Sequence, residues 1–310
     1  MNERELLEAA GRLPKSIEPP RDLWPGIEAR LGGGRSRRWY WVALATAAMV
    51  ALVFVNTKSD AWNMTWLAGA GPGTLRVGES VETGASSRVV IQVGAIGQVE
   101  VKPGSRVRLL GATRTDHRLA LDVGEIYAQV TAPPRLFFVE TPAGVAIDLG
   151  CAYTLRVDAA GNGFLEVTAG AVEFEWTGRR AVVPLRFRVE IRPGFGPSVP
   201  VVADASDAFR RTLAALEFGG DQTALARLLA LARSDDAISL WHLLARTTGA
   251  DRVAVYERLV GLVPLPDGVE RDAVLRLDAS ALDTYWKYLP HAVWLKGKFK
   301  LSPAGRSHTE

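Results

Sequence analysis

The apolar run Trp39–Val55, WYWVALATAAMVALVFV, constrains this chain more than any other feature, because it holds no charge, no proline and no glycine. A run of about 17 residues is at the short end of what spans a bilayer as a helix. As a helix it pairs its backbone N–H and C=O groups internally, as hydrocarbon demands. Trp39, Tyr40 and Trp41 open the run, where amphipathic rings favour the headgroup layer. Arg30, Arg35, Arg37 and Arg38 precede it, and only Lys58 lies close behind it. That bias holds the N-terminus in the cytoplasm and sends the remainder across. Arg35, Arg37, Arg38, Trp39, Tyr40 and Trp41 are therefore the expected anchor in the lipid bilayer. A buried core helix would leave the arginine cluster without a purpose. A cleaved leader is disfavoured: the run starts late, follows an amphipathic arm and is not closed by a small-x-small site.

The 310 residues carry a formal net charge of +3, too small to argue for nucleic-acid binding. Charged residues make up 23% and hydrophobic residues 48%, so most of the chain is expected to fold. The one cysteine, Cys151, excludes a disulfide within the chain and any Cys-rich zinc site. A lone thiol of this kind is expected to be buried.

Residues 1–38 form an expected cytoplasmic helical arm. Leu6, Leu7, Ala10 and Leu13 share one face of a short helix over 3–13, and Pro14 and Pro19-Pro20 break it. Asp22 can cap a second helix, with Pro25 tolerated in its first turn. Leu23, Trp24, Ile27 and Leu31 then form an apolar stripe, and Gly32-Gly33-Gly34 ends it. Each large apolar side chain is worth roughly 1.5–3 kcal/mol when fully buried. An arm this short cannot bury the stripe by itself. Asp22 and Glu28 offset Arg21 and Arg30, so the helix is not the strongly basic type that lies on anionic lipid. A protein partner gripping the helix in a groove is the better reading.

Residues 56–74 read as a spacer, with Trp62 and Trp66 at the outer interface and GAGPG at 69–73 as a loop. From about 75 to 192 the hydrophobic period becomes two. Ten segments alternate, from RVVIQV at 88–93 through RLALDV at 118–123 and EIYAQV at 125–130 to AVEFEW at 171–176, and Gly or Pro punctuates almost every gap. Many short strands at this spacing predict an all-β sandwich, roll or short solenoid. A faint echo links Val101–Gly104, followed by Val107 and Leu109, with Val167–Gly170, followed by Val172 and Phe174. RPGFGP at 192–197 marks a boundary. Over 204–295 the period turns helical, with apolar stripes on Phe209/Leu213/Leu216, Leu225/Leu228/Leu229, Ile238/Trp241/Leu244, Val255/Leu259/Leu262 and Leu282/Tyr285/Trp286. Short loops between them predict a small helical bundle. The polar, basic tail at 296–310 is expected to stay disordered. The predicted fold class is thus a multidomain membrane protein: helical arm, one transmembrane helix at 39–55, all-β domain, C-terminal bundle.

No catalytic constellation can be assembled. His117, His242, His291 and His308 are far apart in sequence, and no HExxH, GxSxG or phosphate loop is present. His242 follows Trp241 on an apolar helix face and reads as a structural histidine. The GxGxG within 69–73 has neither a strand leading in nor a helix following. Asp235-Asp236 stands where a helix starts, so capping explains it. No enzyme activity, cofactor or metal is expected.

The stretch from about Gly78 to Trp176 resembles the FecR domain of membrane-spanning bacterial sigma regulators. The residues that carry this are LDVGEIYAQV at 121–130, FFVETPAGVAIDLGCAYTLRV at 137–157 and LEVTAGAVEFE at 165–175. They follow the order L-x-x-G-E, T-P-x-G, D-L-G-x-x-Y/F-x-V and V-x-x-G-x-V, with Cys151 where the family more often has Thr. PPRDLWPGIEARL at 19–31 is similar to a segment common in anti-sigma arms. The arm has no His and no Cys, so a zinc-free form is implied. The resemblance implies an inner-membrane anti-sigma factor. Its arm would hold an extracytoplasmic-function (ECF) sigma factor through Leu23, Trp24, Ile27 and Leu31, and its periplasmic β-domain would sense a ligand or protein. Release by conformational coupling and release by proteolysis both stay open. The alternative is an envelope scaffold anchored in the membrane, with no sigma partner; such a scaffold has no use for a Trp-centred stripe.

Overall fold

A computed structural model describes residues 61–67, 71–221 and 223–290. The arm at 1–38, the apolar run at 39–55 and the tail at 296–310 lie outside the described residues. Among those described, no helix is long and apolar enough to cross a membrane.

The alternating segments pair into two sheets that share one strand, Asp116–Val130. Its first half pairs antiparallel with Arg106–Thr113 and parallel with Phe137–Thr141. Its second half pairs antiparallel with Gly97–Val101 and Ala152–Val157. The two strands predicted at 118–123 and 125–130 are therefore one, and Gly124, at φ +101°, is where it passes between sheets. The first sheet runs outward through Val89–Val93, Ala61–Trp66 and Pro72–Arg76 on one side. On the other side it continues through Gly163–Ala169 and Phe187–Arg192. The second sheet takes in Ser80–Glu82, Gly144–Asp148, Ala171–Trp176 and the edge strand Arg179–Pro184. The pairing at 117–120 with 137–140 is the one parallel ladder among the described strands. A short solenoid stacks parallel strands, so the two-sheet alternative is the one realised.

Period two becomes burial directly. Val89, Ile91 and Val93 are sealed while Val90 and Gln92 are not. Inward residues of both sheets, among them Ile126, Leu155, Leu121, Phe137 and Phe174, join one core. The faint echo has a geometric cause. Gly104 and Gly170 both stand at φ +69°, in turns that carry the chain from the first sheet to the second.

The expected spacer needs correcting. Ala61–Trp66 is a strand between Pro72–Arg76 and Val89–Val93. Trp62 is not at an interface with lipid: it is 2% exposed, its ring 5.8 Å from His117 and 6.5 Å from Phe137. Trp62, Met64 and Trp66 alternate with Ala61, Asn63 and Thr65, and that alternation belongs to a sheet.

Six helices follow among the described residues: α1 (Asp207–Gly219), α2 (Ala224–Leu231), α3 (Ala237–Arg246), α4 (Gly249–Leu262), α5 (Arg271–Leu275) and α6 (Ala279–Trp286). Ser206 caps α1 by accepting the Phe209 N–H at 3.1 Å, and Gly220 at φ +68° ends it. Asp278 caps α6 in the same way at 2.9 Å. Asp235 and Asp236 sit in a 3-10 turn leading into α3, where Asp236 accepts the Arg233 N–H at 2.8 Å. Trp241, His242 and Trp286 form one aromatic cluster.

Candidate functional site

The motif residues sit at the corners where strands change direction. Ser105 accepts the Glu125 N–H at 2.8 Å and donates to the Glu125 carbonyl at 3.1 Å, satisfying the backbone at the bend beside Gly124. Thr141 accepts the Ala143 N–H at 3.2 Å and donates to the Gly144 carbonyl at 2.8 Å. Gly144 stands at φ +137°, where a Cβ would lie 2.7 Å from the Phe174 ring. Asp148 accepts the Gly150 N–H at 2.7 Å, and a Cβ on Gly170 would overlap the Gly150 carbonyl. The D-L-G and V-x-x-G pieces are thus packed against each other.

Beneath these turns lies a sealed polar group. The Cys151 thiol donates to Asp148 Oδ2 at 2.5 Å, and Asp148 is 1% exposed. Burial pushes the Asp148 carboxyl up to about 6, partly offset by the bonds from Cys151 and Gly150. Burial and then the Asp148 charge push the thiol far above the ordinary cysteine range, so it is no nucleophile. Tyr153 is fully buried, and its hydroxyl finds no hydrogen-bond partner among the described residues.

A second cluster hangs from the first through the Arg135 N–H, which donates to the Asp148 carbonyl at 2.8 Å. Glu173, 1% exposed, is clasped by Arg135 Nη1 at 2.6 Å and Arg180 Nε at 2.6 Å. Arg180 also reaches Glu175 at 2.7 Å. Burial pushes Glu173 up to about 7 against the downward pull of Arg180.

The helices join the sheets at the edge strand Arg179–Pro184. His242 Nε2 accepts the Val182 N–H at 3.1 Å, and Nδ1–H donates to the Ile238 carbonyl at 2.9 Å. Both nitrogens are used by the neutral ring, and burial drives its pKa down to about 3. One turn on, Arg246 donates to the carbonyls of Pro197 at 3.0 Å, Ser198 at 3.2 Å and Arg180 at 3.5 Å, and pairs with Glu217. Glu217 in turn accepts the Val199 N–H at 3.2 Å. The i, i+4 pair His242/Arg246 therefore occupies backbone groups that another strand would otherwise take.

The expected sigma-binding residues Leu23, Trp24, Ile27 and Leu31 lie outside the described residues. So do the anchor residues Arg35, Arg37, Arg38, Trp39, Tyr40 and Trp41. His242 is the structural histidine that its helix face suggests. Glu173, Glu217 and Arg246 went unread, since a buried charge looks like a surface charge until its partner is known. Among the described residues, no three His, Cys, Asp or Glu side chains are grouped to hold a metal.

The described domain is thus two sheets sharing a strand, with motif glycines at their corners and polar clusters sealed from solvent. By comparison, residues 79–173 match the FecR protein family. No curated protein matches the chain. Two crystal structures of candidate anti-sigma factors from Parabacteroides distasonis ATCC 8503, at 1.65 and 2.50 Å, are similar at 14% and 15% identity. The first alignment covers 40% of this chain and 59% of the other, the second 48% and 74%, each with a TM-score of 0.36. The chain thus spans under two thirds of the first of these relatives.

Proposed function

We propose that this protein is a FecR-type anti-sigma factor of the bacterial inner membrane. Its arm holds an ECF sigma factor in the cytoplasm, the run at 39–55 crosses the bilayer once, and the β-domain receives a signal in the periplasm. The observation that carries this reading is the FecR match over 79–173 on the same chain as the arm's Leu23, Trp24, Ile27 and Leu31 stripe. The reading is of a regulator and not an enzyme. Full-length protein in detergent, mixed with the sigma factor encoded nearest to its gene, is expected to retain that factor, and Trp24→Asp is expected to abolish retention. Failure of several candidate sigma factors to bind, or retention indifferent to Trp24→Asp, would return the chain to the envelope-scaffold reading.

A further inference from the structure

Strand Phe187–Arg192 buries Phe187, Val189 and Ile191 and turns Arg188, Glu190 and Arg192 away from the core. Between this outer face and α1 lies a cavity of about 360 Å³. Leu213, Ala214 and Phe218 of α1, with Val201, give it an apolar wall. Arg188, Glu190 and Glu166 stand on the opposite, charged wall. That volume is within the ordinary size of a small-molecule site, roughly 300–1,000 Å³.

The charged groups have bonding capacity unspent. The Arg188 guanidinium carbon stands over the Phe164 ring, 3.6 Å from its centroid, which restrains the group while its N–H groups stay available. Its ion pair with Glu166 is 3.9 Å long, and that of Glu190 with Arg192 is 3.8 Å. Both exceed hydrogen-bond length. Arg210, the other cation of the lining, is already committed to Asp207 at 2.5 Å and to the Ala203 carbonyl at 3.2 Å.

A planar N–H fork suits a carboxylate. Two carboxylates beside it would repel a purely anionic ligand and accept an ammonium. The apolar wall takes an aliphatic group. We propose that this cavity binds a zwitterionic ligand of amino-acid to dipeptide size with an aliphatic side chain, its carboxylate on Arg188 and its ammonium on the Glu166/Glu190 side. This proposal does not rest on sigma binding, because the residues that line the cavity all lie between 166 and 218.

Isothermal titration of the full-length protein in detergent tests it, with L-leucine and L-alanyl-L-leucine as probes. 4-Methylpentanoate and isopentylamine each carry one of the two charges. Saturable binding of at least one zwitterion is expected, with each single-charge analogue at least about tenfold weaker. Arg188→Ala should weaken the zwitterion at least about tenfold. Ala214→Phe, which fills the cavity and leaves every charge in place, should abolish binding even if Arg188→Ala fails to fold. No binding of either zwitterion at about 10 mM would overturn the proposal. So would equal binding by 4-methylpentanoate, or binding untouched in a folded Ala214→Phe protein.

Discussion

Gly124 lies so close to Ser105 that a Cβ at 124 would overlap both the Ser105 Cα and its hydroxyl, the same hydroxyl that satisfies the Glu125 backbone. The shared strand can change sheets here only because residue 124 has no side chain and stands at φ +101°. Gly124→Ala adds backbone strain of about 1–3 kcal/mol to overpacking of about 1–3 kcal/mol. The expected loss is about 2–6 kcal/mol, read from denaturant midpoints. Gly104→Ala isolates the strain, since Gly104 is at φ +69° with nothing within 4 Å of a new Cβ. It should cost only about 1 kcal/mol, and equal losses would show that contact with Ser105 is unimportant.

The Cys151–Asp148 bond predicts a pH effect. The folded carboxyl titrates near 6, above its ordinary value of 3.8, so the folded state binds its proton more readily. This contribution falls as pH rises from about 4 to 6 and is fully present only below that window. Cys151→Val removes the thiol donor. It should raise the Asp148 pKa further and destabilise by about 1–3 kcal/mol near neutrality. Cys151→Thr supplies a stronger donor and should lower it. Carboxyl NMR titration of the three proteins decides the order, and an unchanged Asp148 in Cys151→Val would refute the coupling.

His242 acts with the opposite sign. Its folded pKa, about 3, is below the ordinary 6.5, so only the unfolded chain takes up the proton between these values. Stability contributed here is lost as pH falls from 6.5 towards 3. His242→Phe should flatten that acid-side decline in difference curves against the parent protein. It should also cost about 1–3 kcal/mol at neutral pH by orphaning the Val182 N–H.

Arg246 neutralises a buried Glu217 and bridges three backbone carbonyls. Arg246→Ala should destabilise by about 3–5 kcal/mol, since it leaves buried Glu217 with only the long 3.9 Å ion pair to Arg179. Hydrogen exchange should quicken at the Val182 amide before the central strand Ala152–Val157 is affected. Uniform exchange across both would place the effect elsewhere.

Strands with one wet face could be read from their spelling: Val89, Ile91 and Val93 alternate with polar or half-exposed neighbours because the sheet does. The edge strand Arg179–Pro184 could not. Ala181, Val182 and Val183 are all buried, since α3 covers the face and edge that solvent would otherwise mark with polar residues. Ala61–Trp66 was masked differently, because two tryptophans beside an apolar run suggest a headgroup layer as readily as a core. Gly124 punctuates the sequence as a loop glycine would, yet it lies within a strand. The Val182–His242 contact spans 60 positions, and no local pattern announces a contact of that range. The cavity was hidden for the same reason, its walls coming from separate strands and a helix.

The pair His242 and Arg246 gives the second sheet a counterfeit neighbour: a helix offering an acceptor and a donor where a strand would offer its backbone. A sheet met in this way has its Val182 N–H and Arg180 carbonyl already engaged, which disfavours pairing with a copy of itself at that border. The protection is lost together with the helices. A fragment ending at the sheets would carry that border without its cover.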